Sequence, residues 1–211
     1  MQSPQTTAPT PDPCARANRY TDVMIDIEAL ADLPDSAPAE IALVFFDRDH
    51  PDKHFCSYRY NPSPMSAMRM GFSITAATLQ WWDDHNMTIA VQQGEPLLEV
   101  LDEIAADIRR HTTRGLRVWS RGNSYDLAIL KLAYHRGNKK VPWDFWNERD
   151  VRTWLESFRF KSPRSNNHNA LDDANNQARD VVEAQLGLGK EPLPSLPSNG
   201  FFNTNTLPPK P

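Results

Sequence analysis

The chain has 211 residues, 39% of them hydrophobic, with nine Phe and six Trp, enough to bury the core of one domain of ordinary size. No uninterrupted apolar run approaches a membrane span and no basic start precedes an apolar core, which excludes a membrane-spanning reading and leads us to expect a soluble, cytoplasmic protein. A net charge of -4 argues against a uniformly basic nucleic-acid binder, but the charge is polarised: Arg109 to Arg164 holds fourteen Lys/Arg against five Asp/Glu. Such a stretch either contacts phosphate or forms a solvated face. Cys14 and Cys56 make no metal-type cluster, and Cys14 sits in a Pro/Thr-rich leader where nothing would hold it against a partner. Reduced cysteines in a reducing cytosol are expected.

In chain order, residues 1–20 lack periodic apolar positions and read as a flexible tail. Strands are expected near Asp22–Ile27, Glu40–Phe46 and Lys53–Tyr60, followed by an irregular Pro62–Gly71 segment. Thr75 or its neighbour caps a helix through His85, and a second short helix covers Met87–Gln93. Pro96–His111 has a clean helical period, with Leu97, Val100, Leu101, Ile104 and Ile108 on one face. Leu116–Ser120 reads as a buried strand, Arg121–Asn123 as a loop, and Ser124–His135 as a helix with Asp126 in its first turn, where an acid suits the helix dipole. A short strand near Val141–Trp143 and a last helix from about Leu171 to Gln185 complete a mixed sheet flanked by helices, an α/β domain over 21–188. A second tail, rich in Pro and Asn, covers 189–211, and its Phe201-Phe202 pair could dock on the domain or a partner.

The chemistry concentrates in a few acids. In Asp22-Val-Met-Ile-Asp-Ile-Glu28, strand alternation puts Asp26 and Glu28 on one face and Val23, Ile25 and Ile27 on the other. Carboxylates on a buried strand call for a cation, and an all-oxygen set favours Mg²⁺ or Mn²⁺ over Zn²⁺. With Asp126 and Asp173, four acids could neutralise two such ions, the arrangement that stabilises both the attacking and the leaving oxygen of a displacement at phosphorus. His168, five residues before Asp173, supplies the base, since a neutral imidazole with an unperturbed pKa of about 6.5 takes a proton from the attacking water near neutral pH.

Met24-Ile-Asp-Ile-Glu28, Thr78-Leu-Gln-Trp-Trp82, Asn123-Ser-Tyr-Asp126, Arg149-Asp-Val-Arg-Thr153 and His168-Asn-Ala-Leu-Asp-Asp-Ala174 stand in the order seen in the DEDDh exonucleases. The chain resembles that family, of the ribonuclease H-like superfamily, and within it the 3'-5' exoribonuclease-like proteins of mycobacteria and prophages related to the phage exonuclease DexA. The resemblance runs from residue 21 to 186. It implies a ribonuclease H-like mixed five-stranded sheet, two Mg²⁺ or Mn²⁺ ions, and stepwise removal of nucleoside 5'-monophosphates from a 3' end. Asp26 becomes the bridging ligand, Glu28 a ligand that also orients the attacking water, Asp126 and Asp173 the remaining ligands, and His168 the general base. The family spacing selects Asp173 over Asp172, which reads as an acid at the start of the last helix. Only Ser124 separates Asn123 from Tyr125, where the family has a longer spacer, so no role carries over to Asn123.

Substrate contacts are less sharply defined. Leu30 lies where related enzymes wedge the terminal base. Phe158 and Phe160, among Arg159, Lys161 and Arg164 just before the His168 loop, are candidates for stacking and phosphate contact. Arg152 either holds phosphate or pairs with Asp150, and Trp81-Trp82 is either core or a stacking platform. The expected partner is an RNA or DNA 3' end, RNA or a single-stranded 3' overhang first; a homodimer is left open. The alternatives are a DNA 3'-5' exonuclease and a binding module with decayed catalysis, which the intact acids and His168 disfavour. Nothing in the sequence reads a 2'-OH.

Overall fold

Alternation along β1 (Tyr20–Ala29) sorts the whole domain into two sides. Val23, Ile25 and Ile27 face one hydrophobic cluster, and Met24 faces the other. β1 pairs antiparallel with β2 (Pro38–Phe46), and β2 with β3 (Cys56–Tyr60). On its other edge β1 runs parallel to β4 (Thr112–Ser120), which pairs in parallel with β5 (Glu148–Asp150). The result is the five-stranded mixed sheet β3-β2-β1-β4-β5. This computed structural model describes residues 14, 19–85, 93–165 and 168–188. The second tail, the short helix expected over Met87–Gln93 except its last residue, and most of the first tail lie outside them.

Helices cover both faces. α1 (Pro64–Arg69), α3 (Leu97–His111) and α4 (Asp126–Arg136) pack on the Val23 side, where Leu97, Leu101, Ile104, Leu127 and Leu130 are buried. α5 (Val151–Phe158) and α6 (Ala170–Leu186) pack on the Met24 side through Val151, Leu155, Ala174, Ala178 and Val181. α2 (Ala76–Asp84) is capped by Thr75, whose side chain accepts from the Thr78 N–H. α6 closes on Gly187, whose φ of 76° is the left-handed conformation a helix C-cap asks of glycine.

Three expectations need correction. The strand expected near Val141–Trp143 is irregular, and β5 lies further on at Glu148–Asp150. Pro142 has no N–H to give a ladder, whereas the charged Glu-Arg-Asp run is held by its parallel pairing to Val118–Ser120. The Pro62–Gly71 segment contains α1, with Ser63 as cap and Pro64 in the first turn. The third correction concerns the cysteines. Cys14 and Cys56 form a disulfide with Cα atoms 5.4 Å apart, and both are buried. Spacing along the chain does not report that Cys14 lies against the start of β3. The pairing removes the cysteine argument for a reducing compartment. Among the described residues no helix is long and apolar enough to cross a membrane.

A cross-link spanning 42 residues restricts the unfolded chain by about 4 kcal/mol in the loop-entropy picture. The double variant Cys14→Ser/Cys56→Ser is therefore expected to melt roughly 10 °C lower by calorimetry. Reductant should lower the wild type toward the same value and leave the double variant unchanged.

Candidate active site

The three parallel strands β1, β4 and β5 end on the same side of the sheet, and the acids gather there, in the crevice outside the carboxyl ends where open α/β sheets place their ligands. Asp26 and Glu28 close β1, Asp126 opens α4 just after β4, and Asp173 lies in the first turn of α6. Carboxylate oxygens of Asp26, Glu28 and Asp173 can all come within 4.8 Å of one another. Asp126 joins them on the wall of one cavity of about 540 Å³, with His168, Gln177, Arg121, Arg152 and Arg164. Gly122 sits at the crowded corner: a Cβ there would stand 3.4 Å from the Arg152 guanidinium and 3.9 Å from the Asp126 carboxylate.

The electrostatics are those of crowded, buried carboxylates. Burial, with Asp173 and Glu40 nearby, raises the Asp26 carboxyl to about 7 even though a hydrogen bond from Gln177 opposes the shift. Burial and the repulsion of Asp26, Asp173, Glu40 and Asp126 raise Glu28 to about 8. Asp126 is also pushed well above the carboxylate range by burial and by Asp26, against Arg152 and the Ser120 hydroxyl. Without a cation the folded site holds protons that an unfolded chain has released, so the unliganded fold loses stability as pH rises from about 4 toward 8. Glu28→Gln should then raise the melting temperature of the chelator-treated protein by several degrees or more at about pH 8.5 and leave it nearly unchanged at about pH 4. A scanning-fluorimetry series across that range checks the sign.

His168 takes a left-handed backbone conformation, φ 53°, just before α6. The next residue, Asn169, caps that helix: its side-chain oxygen accepts from the Asp172 N–H and also from Nη2 of Arg59 on β3, at 2.9 Å. Arg59 in turn lies 3.2 Å from Glu40 of β2, so the loop is tied to the sheet. The His168 ring meets the Trp81 ring edge-on at 4.8 Å. Trp81 is 36% exposed and stacks on His85, while Trp82 is buried. Both line a second, more apolar cavity that shares Glu28 with the first. The pair is thus divided between surface and core.

Placement separates the remaining candidates. Arg152 lines the acid cavity, and Asp150 spends its carboxylate on capping α5 through the Thr153 N–H and hydroxyl. Arg159 and Lys161 are exposed beyond the end of α5. Arg164 reaches the cavity wall while bonded to Asp180 and Glu183 of α6. Leu30 and Phe160 are in the core, and Phe158 packs against Trp154, so these three are not brought to the acids. Asp172 is exposed, whereas Asp173 is 2% exposed. Asn123 accepts from the Ser120 hydroxyl and so shapes the turn before Asp126. Sequence reasoning passed over Gln177 and Arg59; the spacing of four between Asp173 and Gln177 on one helix was the available signal for the former.

Residues 21–185 match the model of a family described as the 3'-5' exoribonuclease Rv2179c-like domain. No curated protein matches the chain. Among solved structures, the chain is similar to the nuclease domain of 3'hExo, a DEDDh family member, bound to rAMP. The identity is 16%, with 82% of this chain and 96% of that chain covered at a TM-score of 0.55. It is also similar to S. pombe Pop2p in a Mg²⁺- and Mn²⁺-bound form, at 11% identity over 79% of this chain and 83% of that one, TM-score 0.50. The RNase domain of yeast Pop2 gives 13% identity over 80% and 77%, TM-score 0.50. At these identities the likeness is one of fold, the ribonuclease H-like sheet.

Proposed function

The chain belongs to the 3'-5' exoribonuclease Rv2179c-like family, and from that premise we propose that the acid cavity hydrolyses the terminal phosphodiester of an RNA 3' end, releasing nucleoside 5'-monophosphates. The observation that carries the reading is the convergence of Asp26, Glu28 and Asp173 within 4.8 Å, with Asp126 on the same wall. The donor set fits hard divalent ions: every ligand atom is a carboxylate oxygen, and burial has left the carboxyls short of positive charge. Two Mg²⁺ or Mn²⁺ ions held there would supply Lewis-acid stabilisation of both oxygens in an in-line displacement.

The chain's own residues do the rest. Asp26, Glu28, Asp126 and Asp173 would hold the ions. His168, on the same cavity, takes the proton of the attacking water. Arg121 and Arg152 line the same cavity and offset the charge of the phosphate as it enters. Trp81, half exposed beside His168, offers an aromatic surface for the terminal base.

The test is a gel assay with Mn²⁺ and with Mg²⁺ on 3'- and 5'-labelled RNA, DNA and overhang duplexes, alongside a circular strand. Single-nucleotide products from the 3' end, an uncut circle and a faster rate on RNA are expected. Release from the 5' end or cleavage of the circle overturns the reading. A faster rate on DNA moves the substrate and leaves the chemistry.

A further inference from the structure

The buried face of α6 is made largely of small apolar side chains, among them Ala174, Ala178 and Val181, with three polar exceptions, of which Asp180 is paired with Arg164 and the other two stand one turn apart at the acid cavity. One is Asp173. The other is Gln177, which is 4% exposed and lines the acid cavity. Its Nε2 donates to Oδ1 of Asp26 at 2.7 Å. Its amide oxygen is buried as well and has no hydrogen-bond partner among the described residues.

A glutamine in an alanine row is a poor choice for packing, because a buried amide must satisfy both of its ends. Here one end is satisfied by a residue of the acid cluster, and the other is buried without a partner among the described residues. The geometry suits a group that works on the cluster from behind. A carboxylate that serves a cation presents one oxygen in a defined direction, and a donor fixed on its other oxygen sets that direction. α6 packs on both β1 and β2, so it can act as the frame.

We propose that Gln177 is a positioning residue of the cation site: its amide N–H holds the Asp26 carboxylate in the orientation that receives the ion. The inference rests on the metal-dependent reading above. One helix thereby delivers both an acid, Asp173, and the group that aims a second acid on β1.

The experiment measures Mn²⁺ binding to the whole chain by calorimetry, for the wild type and for Gln177→Leu and Gln177→Met, which remove the amide with two differently shaped apolar side chains. Both variants are expected to bind Mn²⁺ about 10–100-fold more weakly. Their unliganded melting temperatures should stay close to wild type, and hydrolysis should return to within several-fold of wild type once Mn²⁺ saturates, so that the loss falls on metal affinity and spares the rate. Unchanged affinity in both variants overturns the proposal. So does a loss confined to one of them, which would trace to shape, or a lowered rate at saturation with affinity intact. If the wild type binds Mn²⁺ and the variants bind it weakly while no substrate is cleaved, Gln177 keeps its role and the nuclease reading fails. If the wild type binds no Mn²⁺, both fall.

Discussion

Asp26→Asn and Asp173→Asn are each expected to hydrolyse at less than about one-thousandth of the wild-type rate, a loss of roughly 4 kcal/mol in transition-state stabilisation. Chelator should bring the wild type to the same floor, and Mn²⁺ or Mg²⁺ should restore it. The reasoning is electrostatic. Asp26, Glu28 and Asp173 stand close enough to share an ion, and their mutual repulsion is relieved only by positive charge or by protons. Asparagine keeps the volume of aspartate, and at position 26 it keeps an oxygen for the Gln177 amide, so the fold is retained. Removing one charge from the crowd should even raise the melting temperature of the chelated protein. Single-turnover rates and calorimetric titrations on the same preparations separate lost binding from lost folding. Full activity in excess chelator would end the two-ion proposal.

His168→Asn is expected to slow hydrolysis by about 10²–10⁴-fold at saturating metal, the range for losing a general base. Mn²⁺ affinity should hold within a few-fold, because the imidazole is assigned to the proton and not to the ion. Asparagine is preferred to alanine at this position because the backbone is left-handed, a conformation Asn adopts with little strain. A rate within a few-fold of wild type would assign the proton to another group. Trp81→Ala supplies a contrast, since it removes the ring against which His168 packs and leaves the imidazole in place.

The legible parts of this chain were those whose pattern repeats. β1, β2 and β4 carry apolar runs, α3 keeps one greasy face for fifteen residues, and α6 shows its cap and its acids together. The acids themselves were readable because the strand period puts Asp26 and Glu28 side by side on one face. What escaped was held by contacts remote in sequence. β5 is three charged residues with no alternation of their own, and only the neighbouring β4 makes them a strand. α5 is eight residues long, and its apolar stripe is too short to register before packing against α6 completes it. Arg59 reaches Asn169 across 110 positions, and Cys14 reaches Cys56 across 42, distances over which no local pattern operates. Leu30, by the resemblance, and Phe158 and Phe160, from the basic residues around them, were read as substrate contacts, yet each fills space in or against the core.

The Cys14–Cys56 bridge turns the stretch between those residues into a covalent ring, and that ring encloses β1 and β2 with Asp26 and Glu28 inside it. A protease that cuts once within it, for instance in the exposed turn at Asp49–Asp52 between β2 and β3, opens the backbone without releasing a fragment. The strand that bears two of the acids stays bound to the edge of the sheet by sulfur, and the nicked protein can keep its cavity where a reduced one would shed it.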